Sequence, residues 1–267
     1  MKLNQEYSFF LRKQKRKQKI ILAIQILIFL VFLVAWEILA NLDIIDSFLV
    51  SSPSRVVKTL VNLHKNHQLW ENIFVTFCET VISFLIGSFL GIFFAIILWW
   101  FKSVEKIAKP YLVILNALPK VALGPIIIVW IGASVKSIIV MSLFISVIIT
   151  LINISHSFNS VDKNKILLMK TFKASKFQIF SKIVLPINIK NIMSGLKINI
   201  GMALIGVITG EFLIAKKGIG YLIIYGGQVF QLDLVVSGII ILAILTLIFY
   251  LVIIKIEKII YNYYTKK

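Results

Sequence analysis

Long apolar runs, broken at intervals by polar segments rich in lysine, set the rhythm of this chain. Six of them approach the roughly 20 apolar residues that a helix needs to cross a bilayer at about 1.5 Å per residue. They are Ile20–Ala40, Ile73–Phe101, Tyr111–Ile131, Val135–Ile154, Ile192–Leu213 and Leu234–Ile254. The first, second, fifth and sixth stand out clearly. The third is interrupted by Pro119, Lys120 and Pro125, and the fourth is bounded by short polar turns. The pattern predicts an all-α polytopic membrane protein with about six transmembrane helices over residues 20–254. Basic tails lie at 1–19 and 255–267, and a long polar loop at 155–191.

The lysines orient these spans. With the N-terminus in the cytosol, 21 Lys/Arg fall in segments on the cytosolic side, 7 of them in the loop 155–191, and 5 fall outside. Cytosolic loops of membrane proteins carry such an excess. Both termini and the loop 155–191 are therefore expected in the cytosol. The basic stretch LRKQKRKQK at 11–19 precedes the first span without a small-residue cleavage site after it, so it reads as a topology anchor before a retained span.

Composition agrees and narrows the options. The chain is 59% hydrophobic and only 15% charged, with a mean hydropathy of +0.96, well away from the balance of a soluble domain. The net charge of +18 could suggest nucleic acid, but the lysines flank apolar runs instead of forming one groove. The single cysteine, Cys78, excludes an intrachain disulfide, and His64, His67 and His156 are too scattered for a metal cluster. No nucleic-acid partner and no metal site is expected. The lipid bilayer is the obvious surrounding.

The loop 155–191 is too long to be a simple connector. On a helical wheel over residues 169–184, Met169, Phe172, Phe177, Phe180, Ile183 and Val184 share one side. The stripe becomes clean if the chain breaks near Lys173–Ser175. Ser175-Lys176-Phe177-Gln178 supplies the reason, being a capping-box pattern with Ser175 as N-cap and Gln178 three residues on. Two short amphipathic helices meeting at an elbow are predicted, the second ending before Pro186, since a proline disfavours helical geometry at the preceding Leu185. One side of such an elbow can pack on the spans. The other is left for a cytosolic partner or for lipid headgroups.

Small residues mark where helices can touch closely. Gly87, Gly91 and Ala95 recur every four residues in the second span, as do Gly206 and Gly210 in the fifth. Charged residues inside the spans are costly, about 2.5–3.5 kcal/mol for a lysine at the centre. Lys120, next to Pro119, either borders a pathway for an anionic or polar solute or is held by pairing or snorkelling at a broken helix. Lys197 is the other pathway candidate, with snorkelling toward the interface as the alternative. Glu79 and Glu211 read as pairing or interface residues. No catalytic grouping is visible, and a non-catalytic membrane protein is expected.

Ile183-Val184-Leu185-Pro186 is also where the chain resembles a known family. Binding-protein-dependent ABC transporter permeases carry a cytosolic motif of Glu-Ala-Ala, three residues, Gly, nine residues and Ile-x-Leu-Pro. The closing part matches through Ile183, Leu185 and Pro186. Counting back places the family glycine at Lys173 and its Glu-Ala-Ala at Leu167, Leu168 and Met169, so the opening half is absent. ALPKVALGPIIIVWIG (117–132), SGLKINIGMALIGVITGEFL (194–213) and KKGIGYLI (216–223) resemble the branch that imports nitrate, sulfonates, taurine and thiamine precursors.

The resemblance implies a type I ABC importer permease fold. It implies docking of a separate ATPase dimer on Lys170, Thr171, Phe172, Lys173, Ala174, Ser175 and Phe177, and an extracytoplasmic solute-binding protein. It also implies a homodimer or a pair with a close relative. ATP and Mg would be bound by the ATPase, and no cofactor by this chain, which has no Gly-x-x-x-x-Gly-Lys-Ser/Thr loop. The rivals are a self-sufficient secondary transporter or channel, which would need coupling-ion acids, and a membrane enzyme, which would need a carboxylate or histidine cluster.

Overall fold

The computed structural model of the chain describes the backbone of residues 2–265, with side chains for 14, 16–260 and 262. The side chains of most of the basic N-terminal tail, and the last two lysines of the C-terminal one, lie outside the described residues. Every regular element among the described residues is helical. The helices are α1 (Lys2–Asn41), α2 (Ser47–Val50), α3 (Pro53–Lys65), α4 (Gln68–Trp100), α5 (Lys102–Ala117), α6 (Gly124–Ile131), α7 (Val135–Asn159), α8 (Lys163–Thr171), α9 (Lys176–Ile179), α10 (Leu185–Ile214), α11 (Ile219–Gln228) and α12 (Leu232–Thr265).

Five apolar spans lie in α1, α4, α7, α10 and α12, at the places the hydropathy pattern predicts. The third expected span is different. The chain from Tyr111 to Ile131 is not one rod but the end of α5, a 3-10 turn over Lys120–Leu123, and α6, with α5 and α6 bent by 89°. The prolines explain the break. Leu118 is extended (φ −63°, ψ 137°), as a residue before proline prefers. Pro125 stands in the first turn of α6, where its missing N–H costs nothing. The polar stretch 102–109, between the second and third expected spans, is the first half of α5.

The core is a three-helix sandwich in which α7 lies between α4 and α10. Small residues allow the approach. Gly87 and Gly91 of α4 face Ser146 and Thr150 of α7, and Gly206 and Gly210 of α10 face Ser142 and Ile138. A Cβ on Gly210 would come within 3.0 Å of the Ile138 backbone. Two buried hydrogen bonds tie the helices across these seams: Ser142 Oγ donates to the Ala203 carbonyl at 2.8 Å, and Asn199 Nδ2 to Ser88 Oγ at 2.8 Å. Such bonds hold helices together where lipid offers no hydrophobic drive between them. By contrast, the apolar stretch of α1 is unburied along its length. It is held near one end, where the Trp36 indole donates to the Ser51 carbonyl and the Ser54 N–H donates to Glu37.

Candidate functional site

The elbow is built by local backbone chemistry. Asp162 caps α8 by accepting from the Asn164 N–H at 2.8 Å. At its far end the Ala174 N–H reaches back to the Met169 carbonyl (3.0 Å) and the Lys173 N–H to the Lys170 carbonyl (2.9 Å). This is the double bond pattern of a Schellman ending, which demands a left-handed residue just past the helix. Lys173 is that residue, at φ +57°. Two residues on, the capping box is fully formed: Ser175 Oγ accepts from the Gln178 N–H (3.2 Å), and Gln178 Oε1 accepts from the Ser175 N–H (2.7 Å).

The elbow has two faces. Ile166, Met169 and Ala174 turn inward onto a cluster formed by Trp99, Phe158, Ile179 and Phe180. The Phe180 ring is the hub, 4.9 Å from Trp99 and 5.6 Å from Phe158. Lys176 pins the elbow to the end of α4: its ammonium donates to the Trp100 carbonyl and lies 5.8 and 5.6 Å from the two indole rings. The other face carries Leu167, Leu168, Phe172 and Phe177 into the open, Phe172 at 75% and Phe177 at 66% exposure. Exposed Lys170, Lys173 and Thr171 stand beside them. Ala174, expected on the docking side, is therefore an inward residue.

The second elbow helix does not end before Pro186. It runs through a π-helical turn over Phe180–Val184 directly into α10, with Leu185 helical at φ −65°, ψ −50° and closed by a bond from its N–H to the Phe180 carbonyl. In a regular α-helix the proline ring would strike the carbonyl four residues earlier. The wider π turn, falling just before Pro186, is where that conflict is absorbed. Ile183 and Leu185 pack on the aromatic cluster, and Pro186 is exposed.

The pathway candidates are held by separate elements. Lys120 Nζ donates at 2.9 Å to the Asn116 carbonyl, freed by the break after α5. Pro119 is exposed beside it. Lys197 pairs its ammonium at 2.5 Å with Glu257 of α12, three residues beyond the expected end of the last span, both about one-fifth exposed.

At the opposite end of α4 and α10 lies a polar anchor that sequence reasoning missed. Gly218, Ile219 and Gly220 present their N–H groups at the start of α11. The acceptors are Asn72 Oδ1 (2.6 Å), Thr76 Oγ1 (2.8 Å) and Glu211 Oε2 (2.5 Å). Thr76 in turn donates to Glu211 Oε1 at 2.6 Å. Glu211 and Thr76 are completely buried, with Glu79 beside them at 4% exposure. The orphan donors of a helix start are thus satisfied by side chains of two spans. Gly218, at φ +117°, is required there, because a side chain would run into the Glu211 carboxyl. The spacing of Glu211 from the GIG stretch was a usable signal. Next to the anchor opens a polar cavity of about 770 Å³ between α3, α4, α11 and the start of α12. The Arg55–Asp233 ion pair (2.9 Å) and the Lys217–Glu71 pair border it.

A bundle of long apolar helices with a bent span and an amphipathic elbow defines a polytopic helical membrane protein. The family model of the binding-protein-dependent transport system inner membrane component matches residues 87–263. The chain belongs to that family and is a multi-pass inner-membrane ABC transporter permease. It is 30% identical over 232 residues to a "Probable ABC transporter permease protein" of Haemophilus influenzae, covering 87% of this chain and 94% of the relative. It is 29% identical over 195 residues to the formylaminopyrimidine transport permease protein ThiX of Halalkalibacterium halodurans, covering 73% and 77%. The second of these agrees with the branch expected from the sequence. Among solved structures, a bacterial ABC transporter involved in import of the polysaccharide alginate matches with a TM-score of 0.64 at 15% identity. That match covers 91% of this chain and 96% of the other, and it supports the same fold.

Proposed function

We propose that the chain is the permease of an ATP-driven importer whose elbow is gripped by a separate ATPase pair in the cytosol. Both termini face the same compartment as the elbow. Two copies form the pathway, and an external binding protein delivers a small polar or anionic solute of the sulfonate, nitrate, taurine or aminopyrimidine class. ATP and Mg are held by the ATPase. The polar cavity at the far end of α4 and α10 then faces the side of delivery, and Lys120 lines or gates the route.

One observation carries the docking reading: four large apolar side chains, Leu167, Leu168, Phe172 and Phe177, stand exposed on an element whose other face is packed. Burying each would stabilise a complex by about 1.5–3 kcal/mol before association costs. The surrounding lysines favour a groove with an acidic rim. The elbow also stands off the bilayer. The continuous helix from Lys176 to Ile214 has 39 residues, about 58 Å at 1.5 Å per residue, against a hydrocarbon core of about 30 Å.

The test is co-purification of the ATPase with the double variant Phe172→Asp, Phe177→Asp. The ATPase should be lost while the permease still inserts and folds. An ATPase that stays bound overturns the docking assignment. Transport by the purified chain without any nucleotide-hydrolysing subunit would instead establish the secondary-transporter rival.

A further inference from the structure

We infer that the cleft between α4, α5 and α7 at the elbow end is a binding site for one anionic phospholipid. Its volume is about 250 Å³, room for a glycerophosphate and the start of a chain, with the rest of the tails left to the bilayer.

The lining is graded, and both walls grade the same way. Along α5, from its start inward, the lining residues run Glu105, Lys109, Leu112, Val113. Along α7, from its end inward, they run Asn159, His156, Ser155, Ile152. Leu98 of α4 closes the apolar half. Each wall thus passes from polar to apolar over about two helical turns, roughly 10 Å, with charged side chains on the α5 wall. A membrane amphiphile standing in one leaflet has that same profile.

The charge at the mouth selects an anion. Glu105 would repel a phosphate, but its two oxygens are already taken, accepting from Lys102 Nζ at 2.9 Å and Asn159 Nδ2 at 2.6 Å. Lys102 is consumed in the same cluster, donating also to Asn159 Oδ1 at 2.5 Å. Lys109 has no acidic partner among the described residues. It is left as the free cation of the rim, and His156 lines the same cleft from α7. Basic pockets between spans on the cytoplasmic side are suited to lipid phosphates. The assignment of the inner leaflet rests on the orientation proposed above; the site itself does not depend on the ATPase.

The test is native mass spectrometry of the full chain, purified with its assembly partners, delipidated in a neutral detergent and titrated with phosphatidylglycerol or phosphatidylcholine. One phosphatidylglycerol should be retained per chain, and phosphatidylcholine should not. Lys109→Ser should weaken retention about fivefold, from roughly 1 kcal/mol per surface lysine. Val113→Trp, which fills the apolar half, should abolish it, and Lys258→Ser on α12 should leave it unchanged. Equal retention of both lipids, or retention indifferent to both cleft variants, overturns the proposal. So does a Lys109-dependent adduct of glycerol 3-phosphate alone that survives Val113→Trp, since the ligand would then be a soluble anion. Loss of the ATPase in the Phe172 and Phe177 variant is a separate outcome, read on a different element.

Discussion

Lys173 occupies a backbone position that suits glycine. A left-handed conformation costs a side-chain-bearing residue about 1–2 kcal/mol, and the permease motif has glycine at this place. The chain accepts the cost because the two bonds of the Schellman ending and the capping box after it hold the turn from both sides. Lys173→Gly should therefore steady the elbow by about 0.5–1 kcal/mol, after allowing for glycine's greater freedom in the unfolded chain. Hydrogen exchange at the Ala174 amide reads this directly and should slow a few-fold; unchanged or faster exchange would contradict it. Residues bound to near neighbours were legible in the sequence. Ser175 and Gln178 form their reciprocal caps because that code spans four positions. Lys197 was not legible, because its partner Glu257 lies 60 positions further on and only helix packing brings them together. The place of Glu211 in the anchor was not legible for the same reason, since its hydrogen-bond partners come from two other helices, α4 and α11.

Helices were legible in proportion to their length and apolarity. The five long spans followed from hydropathy alone. The helices α3 and α11 did not, because each is short and is stabilised by what it packs on. Yet Ser52 followed by Pro53 was a fair start signal: Ser52 accepts from the Arg55 N–H, and the proline sits in the first turn. The π turn over Phe180–Val184 was invisible because Pro186 looked like a stop. It carries one residue more than an α-helical turn would need. Deleting Ser181 should restore α-helical register and swing the elbow by about 100° around the axis of α10. Phe180 and Lys176 would then leave the tryptophans of α4. Tryptophan emission should shift and exchange across residues 163–180 should quicken, while α10 stays protected. A variant with native emission and an intact elbow would show that the turn is not what sets its direction.

For the whole molecule, the structure gives two chemically distinct ends. One bears the elbow, the tryptophan pair and the lysine-rich first turns of α5. The other bears the polar cavity and the buried anchor of α11. The lysine count predicts which end is inside. In a Cys78→Ser background, a cysteine at Thr171 should react with a membrane-impermeant maleimide only when the cytosolic face is accessible, and one at Gln231 only from the outside. Reversed labelling would overturn the topology and, with it, the assignment of the elbow to a cytosolic motor.

The cross-linked charges also bear on how the chain is made. Lys197 enters the bilayer before Glu257 has been synthesised, and Asn72, Thr76 and Glu79 enter long before Glu211 and the turn at Gly218. Until then the Lys197 ammonium and the α4 side chains of the anchor lack the partners they meet in the folded bundle. The spans therefore gain their full set of polar contacts only together. The last helix to be born, α12, brings the carboxylate that completes the set.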